Sequence, residues 1–307
     1  MPASLEFARV VVDVEHLPDD VMILRARMDF EEPDERFDQY LAHWAKATPD
    51  TVFMAEREGE SWRKITYAQA YAKARSIAAG LARRDLGQDK PIMILSGNSV
   101  DHQIVALAAM MAGVPYAPIS VAYSTVSQDF AKLRHIIGLL DPGLVFVVDA
   151  KPFARALSID EMAGREIVAI HNVDAVPGVR SLASVESADA TALDARAATI
   201  GPDTIAKILF TSGSTGVPKG VITTHRMMGS TQRQMALLWP FLKKEKPVIL
   251  DWLPWSHVFG GTFCVGIVLR YGGSFYIDDG KPMASEFPKT VRNLREISPT
   301  FYWSVPK

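Results

Sequence analysis

The stretch TSGSTGVPKG, residues 211–220, gathers the residue types that hold an anion. Gly213, Gly216 and Gly220 let successive backbone N–H groups converge on one point, forming a concave nest of partial positive charge. Thr211, Ser212, Ser214 and Thr215 add hydroxyl groups that can also ligate Mg²⁺, and Lys219 adds a point charge suited to phosphate. Two familiar phosphate motifs are excluded. The P-loop needs Gly-Lys-Ser/Thr, whereas Lys219 precedes Gly220 and no hydroxyl residue directly follows it. The Gly-x-Gly-x-x-Gly fingerprint lacks its first member here. A flexible Gly/Ser linker fits poorly, because the runs AKILF and GVITT bracket the loop and Pro218 stiffens it.

A second candidate is LPWSHVFGG, residues 253–261, which sets His257 between Pro254 and the pair Gly260–Gly261. A lone histidine is ordinarily structural. His16, His43, His102, His135 and His171 have no motif around them, and His225 follows two threonines at a helix start, where capping competes with substrate contact. The single cysteine, Cys264, excludes an intrachain disulfide and a cysteine-rich metal site. Its context TFCVGIVL reads as a small buried hydrophobe.

The elements that must position these residues alternate. Residues 1–34 read as irregular, with β-rich pieces at VVVDV and VMILRA. Phe37, Tyr40, Leu41 and Trp44 recur at helical spacing, and residues 51–65 read as a hairpin around Gly59. Thr66 and Gln69 form a capping box for the helix that follows. PIMILS, PYAPIS, LVFVVD and REIVAIH are short apolar runs bounded by turn residues, with the helical segments VDHQIVALAAMMAG and DFAKLRHIIGLL between them. That alternation predicts an α/β fold with parallel sheets flanked by helices. Residues 184–199 read as a linker or exposed helix. Beyond the loop come a helix from His225 to about Leu238, the strand VILDWLP, the helix GTFCVGIVLRYG, the strand SFYID, the helix FPKTVRNLREI and the strand TFYWSV.

The 307 residues are 48% hydrophobic and 22% charged, ordinary for a soluble globular protein of about two domains. A net charge of −2 leaves no electrostatic footprint for nucleic acid. The longest apolar run, IVALAAMMAGV, is shorter than the roughly 17 to 25 residues that span a bilayer, and the N-terminus is no secretory signal. A soluble cytoplasmic protein is the expectation.

The loop matches at every position the phosphate-binding motif [ST]-S-G-[ST]-T-G-x-P-K-G, and so resembles the adenylate-forming enzymes: acyl- and aryl-CoA synthetases, luciferase-like enzymes and peptide-synthetase adenylation domains. AAMMAGVPYAPIS, VITTHRMM and LPWSHVFGG resemble that family's other motifs, from about residue 36 onward. More narrowly, VAYS, GPDTIAKILFTSGSTG, LPWSHVFGG and YIDDGKP resemble feruloyl-CoA synthetases, which activate hydroxycinnamic acids.

The resemblance implies the N-terminal large domain of such an enzyme: a segment 1–50 packing on a second subdomain, a first α/β subdomain 51–240 carrying the phosphate loop, and the start of the second subdomain at 241–307. It implies that a carboxylic acid attacks the α-phosphorus of ATP·Mg²⁺ to give acyl-AMP and pyrophosphate, and that the thiol of coenzyme A then displaces AMP. Thr211, Ser212, Gly213, Ser214, Thr215, Gly216 and Lys219 would cradle the β- and γ-phosphates, with Thr215 near Mg²⁺. His257 would line the acid site with Phe259, Gly260 and Gly261, orienting rather than transferring protons, while Trp255 is read as pocket or core. The family's ribose- and adenine-binding motifs are not in these residues, so the chain is read as truncated, with the C-terminal part of the same enzyme as its missing partner and no activity alone. Two alternatives stand beside the hydroxycinnamate reading: a synthetase for a fatty or benzoic acid, and a non-catalytic nucleotide- or partner-binding remnant.

Overall fold

The computed structural model describes residues 5–28, 30, 36–211, 216–281 and 283–304. The chain opens with an antiparallel ribbon, β1 (Val12–His16) and β2 (Met22–Ala26), formed by the two β-rich pieces. Helix α1 (Gln39–Ala47) buries Leu41 and sends Trp44 Nε1 to the Leu269 carbonyl at 2.8 Å. The hairpin β3 (Val52–Glu58) and β4 (Ser61–Thr66) leads directly into α2 (Tyr67–Ala82). Thr66 caps that helix reciprocally with Gln69: its Oγ1 accepts the Gln69 N–H at 3.3 Å, and Gln69 Oε1 accepts the Thr66 N–H at 3.0 Å.

The central segment alternates as its sequence predicts. It runs β5 (Ile92–Ile94), α3 (Val100–Met111), β6 (Tyr116–Pro118), α4 (Ala122–Thr125), α5 (Ala131–Leu140), β7 (Leu144–Asp149), α6 (Ala150–Leu157), β8 (Glu166–His171), β9 (Arg180–Ser181) and α7 (Thr191–Ala197). Next come β10 (Ile205–Thr211), β11 (Lys219–Thr224), α8 (His225–Leu238), β12 (Val248–Asp251), a π-helical turn (Phe259–Cys264), α9 (Val265–Tyr271), β13 (Ser274–Ile277) and α10 (Phe287–Ile297).

Two larger sheets result: one seven-stranded, in the order β11-β10-β6-β5-β7-β8-β9, and one four-stranded, in the order β12-β13-β3-β4. All pairings are parallel except the hairpins β10–β11 and β3–β4. Side chains alternate along β5 with the period of two that a strand imposes. Ile92 and Ile94 join a core shared with α2, α3 and the second sheet's Phe53, Ile249 and Phe275. Met93 turns the other way, into a second core with Leu133 and Ile136 of α5 and Phe153 of α6. Helix α3, buried along nearly its whole length, lies in the first of these cores, which explains why its sequence from Ile104 to Met111 is apolar on every side.

Four features depart from the sequence reading. The hairpin 52–66 joins the second sheet, with Met54 opposite Phe275, so residue 51 is no boundary between sheets. The TFYWSV segment contributes one parallel bridge, Phe301 with Ile249, and no longer strand among the described residues. GTFCVGIVLRYG is π-helical over its first part rather than uniformly α. Residues 184–199 contain α7, whose Leu193 is buried, so the segment is not wholly exposed.

Thr66→Ala removes one half of the α2 cap and leaves the Gln69 N–H without its partner. The expected loss of stability is about 1 kcal/mol, read as a lower urea midpoint with an unchanged slope.

Candidate active site

The loop of the first motif connects β10 to its antiparallel neighbour β11, with Thr211 opposite Lys219. Gly216 has φ +77°, a left-handed conformation that a side chain would strain, which accounts for a glycine there. Ser212, Gly213, Ser214 and Thr215 lie outside the described residues, and the expected Mg²⁺ role of Thr215 falls with them. Thr211, Gly216 and Lys219 are solvent-exposed at the ends of the hairpin, accessible to a polyanion. His135, which carried no motif, fastens the far side: its Nε2 lies 3.0 Å from the Pro218 carbonyl, so it donates there.

The second motif follows β12. Its path is fixed by Asn98, in the loop after β5, which behaves like a strand partner. Asn98 Nδ2 donates to the Leu253 carbonyl at 2.8 Å, and Asn98 Oδ1 accepts the Trp255 N–H at 3.0 Å. Trp255 is core rather than pocket wall alone: it is buried, with His102 and Phe275 edge-on at 5.2 and 5.8 Å. His102 Nδ1 donates to the Gly97 carbonyl at 3.0 Å, and burial drives its pKa down to about 4, so the ring is neutral near pH 7.

A cleft of about 560 Å³ opens where the carboxyl ends of strands from both sheets face one another. Ser96, Gly97 and Asn98 follow β5, Ile119 and Ser120 follow β6, Trp252 follows β12, and Asp278 and Asp279 follow β13; His257 stands among them. Crevices at the carboxyl ends of parallel strands are where α/β folds bind ligands. The charged groups that line it are partly committed. Glu56 Oε2 caps α3 by accepting the Val100 N–H at 2.9 Å. Asp278 accepts Thr290 Oγ1 at 2.8 Å and Asn293 Nδ2 at 2.7 Å, which locks the turn after β13. His257 itself is exposed.

Phe259, Gly260 and Gly261 do not line that cleft. The two glycines are buried where the turn presses on the preceding loop. A Cβ on Gly260 would meet the Leu253 carbonyl oxygen at 2.6 Å, and one on Gly261 the Trp255 carbonyl oxygen at 2.3 Å. Their glycine identity is therefore explained by close backbone approach. Phe259 points outward and starts an aromatic array: it stacks on Phe263 at 4.9 Å, and Phe301 stacks on Trp303 at 5.1 Å, with Phe263 and Trp303 edge-on at 5.7 Å. His225 is structural: fully buried, its Nδ1 accepts the Phe37 N–H at 3.0 Å. Cys264 is buried as read, and burial raises its thiol pKa far above the ordinary range, leaving it unreactive.

Three buried polar residues around this motif escaped the sequence reading. Lys207, on β10, is 1% exposed; its Nζ donates to the Gly261 carbonyl at 2.7 Å and the Thr262 hydroxyl at 3.2 Å, and lies 5.3 Å from the centre of the Tyr116 ring. Burial lowers its pKa to about 7. Gln232, on α8, is fully buried and its Nε2 lies 3.4 Å from both the Thr262 and Phe263 carbonyls. Asp251, at the end of β12, is fully buried; burial raises its pKa to about 6, and its Oδ1 accepts the Leu253 N–H at 3.0 Å.

With the site laid out, its relatives can be named. The chain belongs to the AMP-binding enzyme family, whose sequence pattern matches residues 41–307. A long-chain-fatty-acid–CoA ligase of Rattus norvegicus is 25% identical over 291 residues, covering 91% of this chain and 40% of that ligase. The luciferase-like enzyme from the nonluminescent Zophobas morio mealworm superposes with a TM-score of 0.68 at 17% identity, over 95% of this chain and 62% of its own. McyG A-PCP complexed with phenylalanyl-adenylate does so with a TM-score of 0.67 at 21% identity, over 87% of this chain and 39% of its own. These likenesses establish the α/β fold of adenylate-forming enzymes. The chain spans 35% to 40% of the length of the fatty-acid ligases it matches. No described helix is long and apolar enough to cross a membrane.

Lys207 has a measurable signature. Between about pH 7 and its unfolded value near 10.5 the unfolded chain holds a proton that the folded chain has released, so stability rises with pH across that window. Below pH 7 both states hold the proton and the full penalty of a buried charge remains. Lys207→Met should flatten the pH dependence by up to roughly 1.4 kcal/mol per pH unit between pH 7 and 9, as measured by denaturant titrations of both proteins.

Proposed function

We propose that the protein to which this chain belongs activates a carboxylic acid in two steps, and that the acid is aromatic, of the hydroxycinnamate class. In the first step a carboxylate oxygen attacks the α-phosphorus of ATP, and the bond to pyrophosphate breaks. In the second the thiolate of coenzyme A attacks the acyl carbon, and AMP leaves with the electron pair. The first step asks the protein chiefly for positioning and charge stabilisation. Family membership together with the phosphate-motif hairpin supports this chemistry. Thr211, Gly216 and Lys219, with the loop between them, would hold the β- and γ-phosphates. Mg²⁺ would offset their charge, and His257 would orient the acid.

The observation that carries the acid class is the array Phe259, Phe263, Trp303 and Phe301, which starts two residues after His257. Flat ring faces favour a planar conjugated acid through offset or edge contacts, beyond what an alkyl chain gains from the same area. The fatty acids named in the relatives supply the second reading, and direct comparison separates them. Acid-dependent ATP–pyrophosphate exchange by the full-length enzyme should favour feruloyl-type acids over a long-chain fatty acid by at least tenfold in kcat/KM. Phe259→Ala should lower kcat/KM for the aromatic acid by roughly threefold to tenfold. A higher kcat/KM for the fatty acid refutes the aromatic reading and leaves the two-step chemistry standing.

The phosphate role has its own test. Thr215→Ala or Lys219→Ala in the full-length enzyme should slow acyl-AMP formation at least tenfold, and slow thioester formation from preformed acyl-AMP much less. Equal slowing of both half-reactions in single-turnover assays contradicts it.

A further inference from the structure

A π-helical turn is wider than an α-helical one, and isolated π-helical turns occur frequently at functional sites. Here the carbonyls of Gly261, Thr262 and Phe263 each face a side-chain donor reaching in from a neighbouring element: Lys207 of β10 for the first, Gln232 of α8 for the other two. The Thr262 hydroxyl is a second acceptor for Lys207.

Lys207 is a costly choice for this place. It is 1% exposed, and its partners are a carbonyl, a hydroxyl and an aromatic ring, with no carboxylate among the described residues. A buried ammonium without a counter-charge is unfavourable, and a methionine of similar length would fill the same volume without that penalty. What methionine cannot supply is a directed donor at the end of a long reach. Lys207 also sits on the strand that ends at Thr211, the first residue of the phosphate motif, so its Nζ ties that strand to the turn that follows His257.

From this arrangement, and resting on the acid-activation reading above, we propose that Lys207 and Gln232 are positioning residues for the acid. By holding the Phe259–Cys264 turn at a fixed place beside β10, they set where the acid carboxylate meets the phosphates. Neither touches the reacting atoms.

The test uses the full-length enzyme and two variants, Lys207→Met and Gln232→Leu. Lys207→Met should raise KM for the acid at least tenfold while KM for ATP stays within twofold, and Gln232→Leu should move the same constant in the same direction by less. A general loss of packing would shift both constants or lower kcat alone, and either pattern overturns the proposal, as does an unchanged acid KM. Hydrogen exchange gives a readout that needs no turnover. The amides of residues 261–266 should exchange at least tenfold faster in Lys207→Met, with those of α2 and α3 unchanged; equal exchange in the two proteins also overturns it. If the unsubstituted enzyme activates no acid, the functional reading fails by itself, and the exchange measurement alone decides whether Lys207 holds the turn.

Discussion

From Ile104 to Met111 helix α3 is apolar on all sides, because it is buried in the core that joins the two sheets. Its amino end is capped by Ser99, whose hydroxyl accepts the His102 N–H, and by Glu56 reaching across from β3 of the second sheet. That second contact ties α3 to the second sheet beside the cleft. The residues that follow β5 and β6 line the cleft together with those that follow β12 and β13, and His257 stands among them. An unpaired polar residue in the middle of α3 would face this core, at a cost of about 1 to 3 kcal/mol.

Around the acid motif the fold spends stability on definition. Asn98 mimics a strand edge for the Leu253–Trp255 backbone, Lys207 and Gln232 supply donors to a widened turn, and Asp251 holds the Leu253 N–H. Each hydrogen bond of this kind adds only about 1 kcal/mol net, while an unpaired buried group costs about 1 to 3 kcal/mol. Four such residues within one small region are therefore a poor way to make a stable core. They bias a loop toward one conformation, because moving it breaks several of these hydrogen bonds at once.

How much of this was legible in the sequence depends on the distance over which the reason for a residue acts. The Thr66–Gln69 cap, the two strands that bracket the 211–220 loop and the helix starting at His225 rest on neighbours within a few positions, and all were readable; that the two strands pair antiparallel was not. Lys207 sits in the run IAKILF, where a lone lysine reads as an outward or snorkelling side chain; the carbonyl that justifies its burial is 54 residues away. Asn98 depends on backbone 155 and 157 residues distant. The hairpin 52–66 was legible as a hairpin, but its sheet was not, because β13 arrives some 200 residues later. The π-helical turn was hidden for a related reason: it is stabilised by donors from β10 and α8, not by its own residue propensities. Gly260 and Gly261 were noticed as pocket neighbours, but the Leu253 and Trp255 backbone that each presses against was not legible.

The two motifs also differ in what they demand of the fold, and this bears on how one family handles different acids. The phosphate loop joins an edge hairpin whose outer strand leaves Val221 46% and Ile222 53% exposed. An edge loop needs only a fixed base, since polyanion binding depends on converging N–H groups and charge rather than on a shaped cavity. On the proposed acid-activation reading, the motif around His257 would discriminate among substrates that share a carboxylate, so specificity would lie in what surrounds that group. The turn after His257 separates these tasks within a few residues. Gly260 and Gly261 are fixed by the backbone they press against, whereas Phe259 and Phe263 project from the same turn into the aromatic array. Substitution at those two positions changes the aromatic array and leaves the turn's backbone carbonyls in reach of Lys207 and Gln232. A fold arranged in this way is shared, at 25% identity or less, with a protein named as a fatty-acid ligase and with one complexed with phenylalanyl-adenylate.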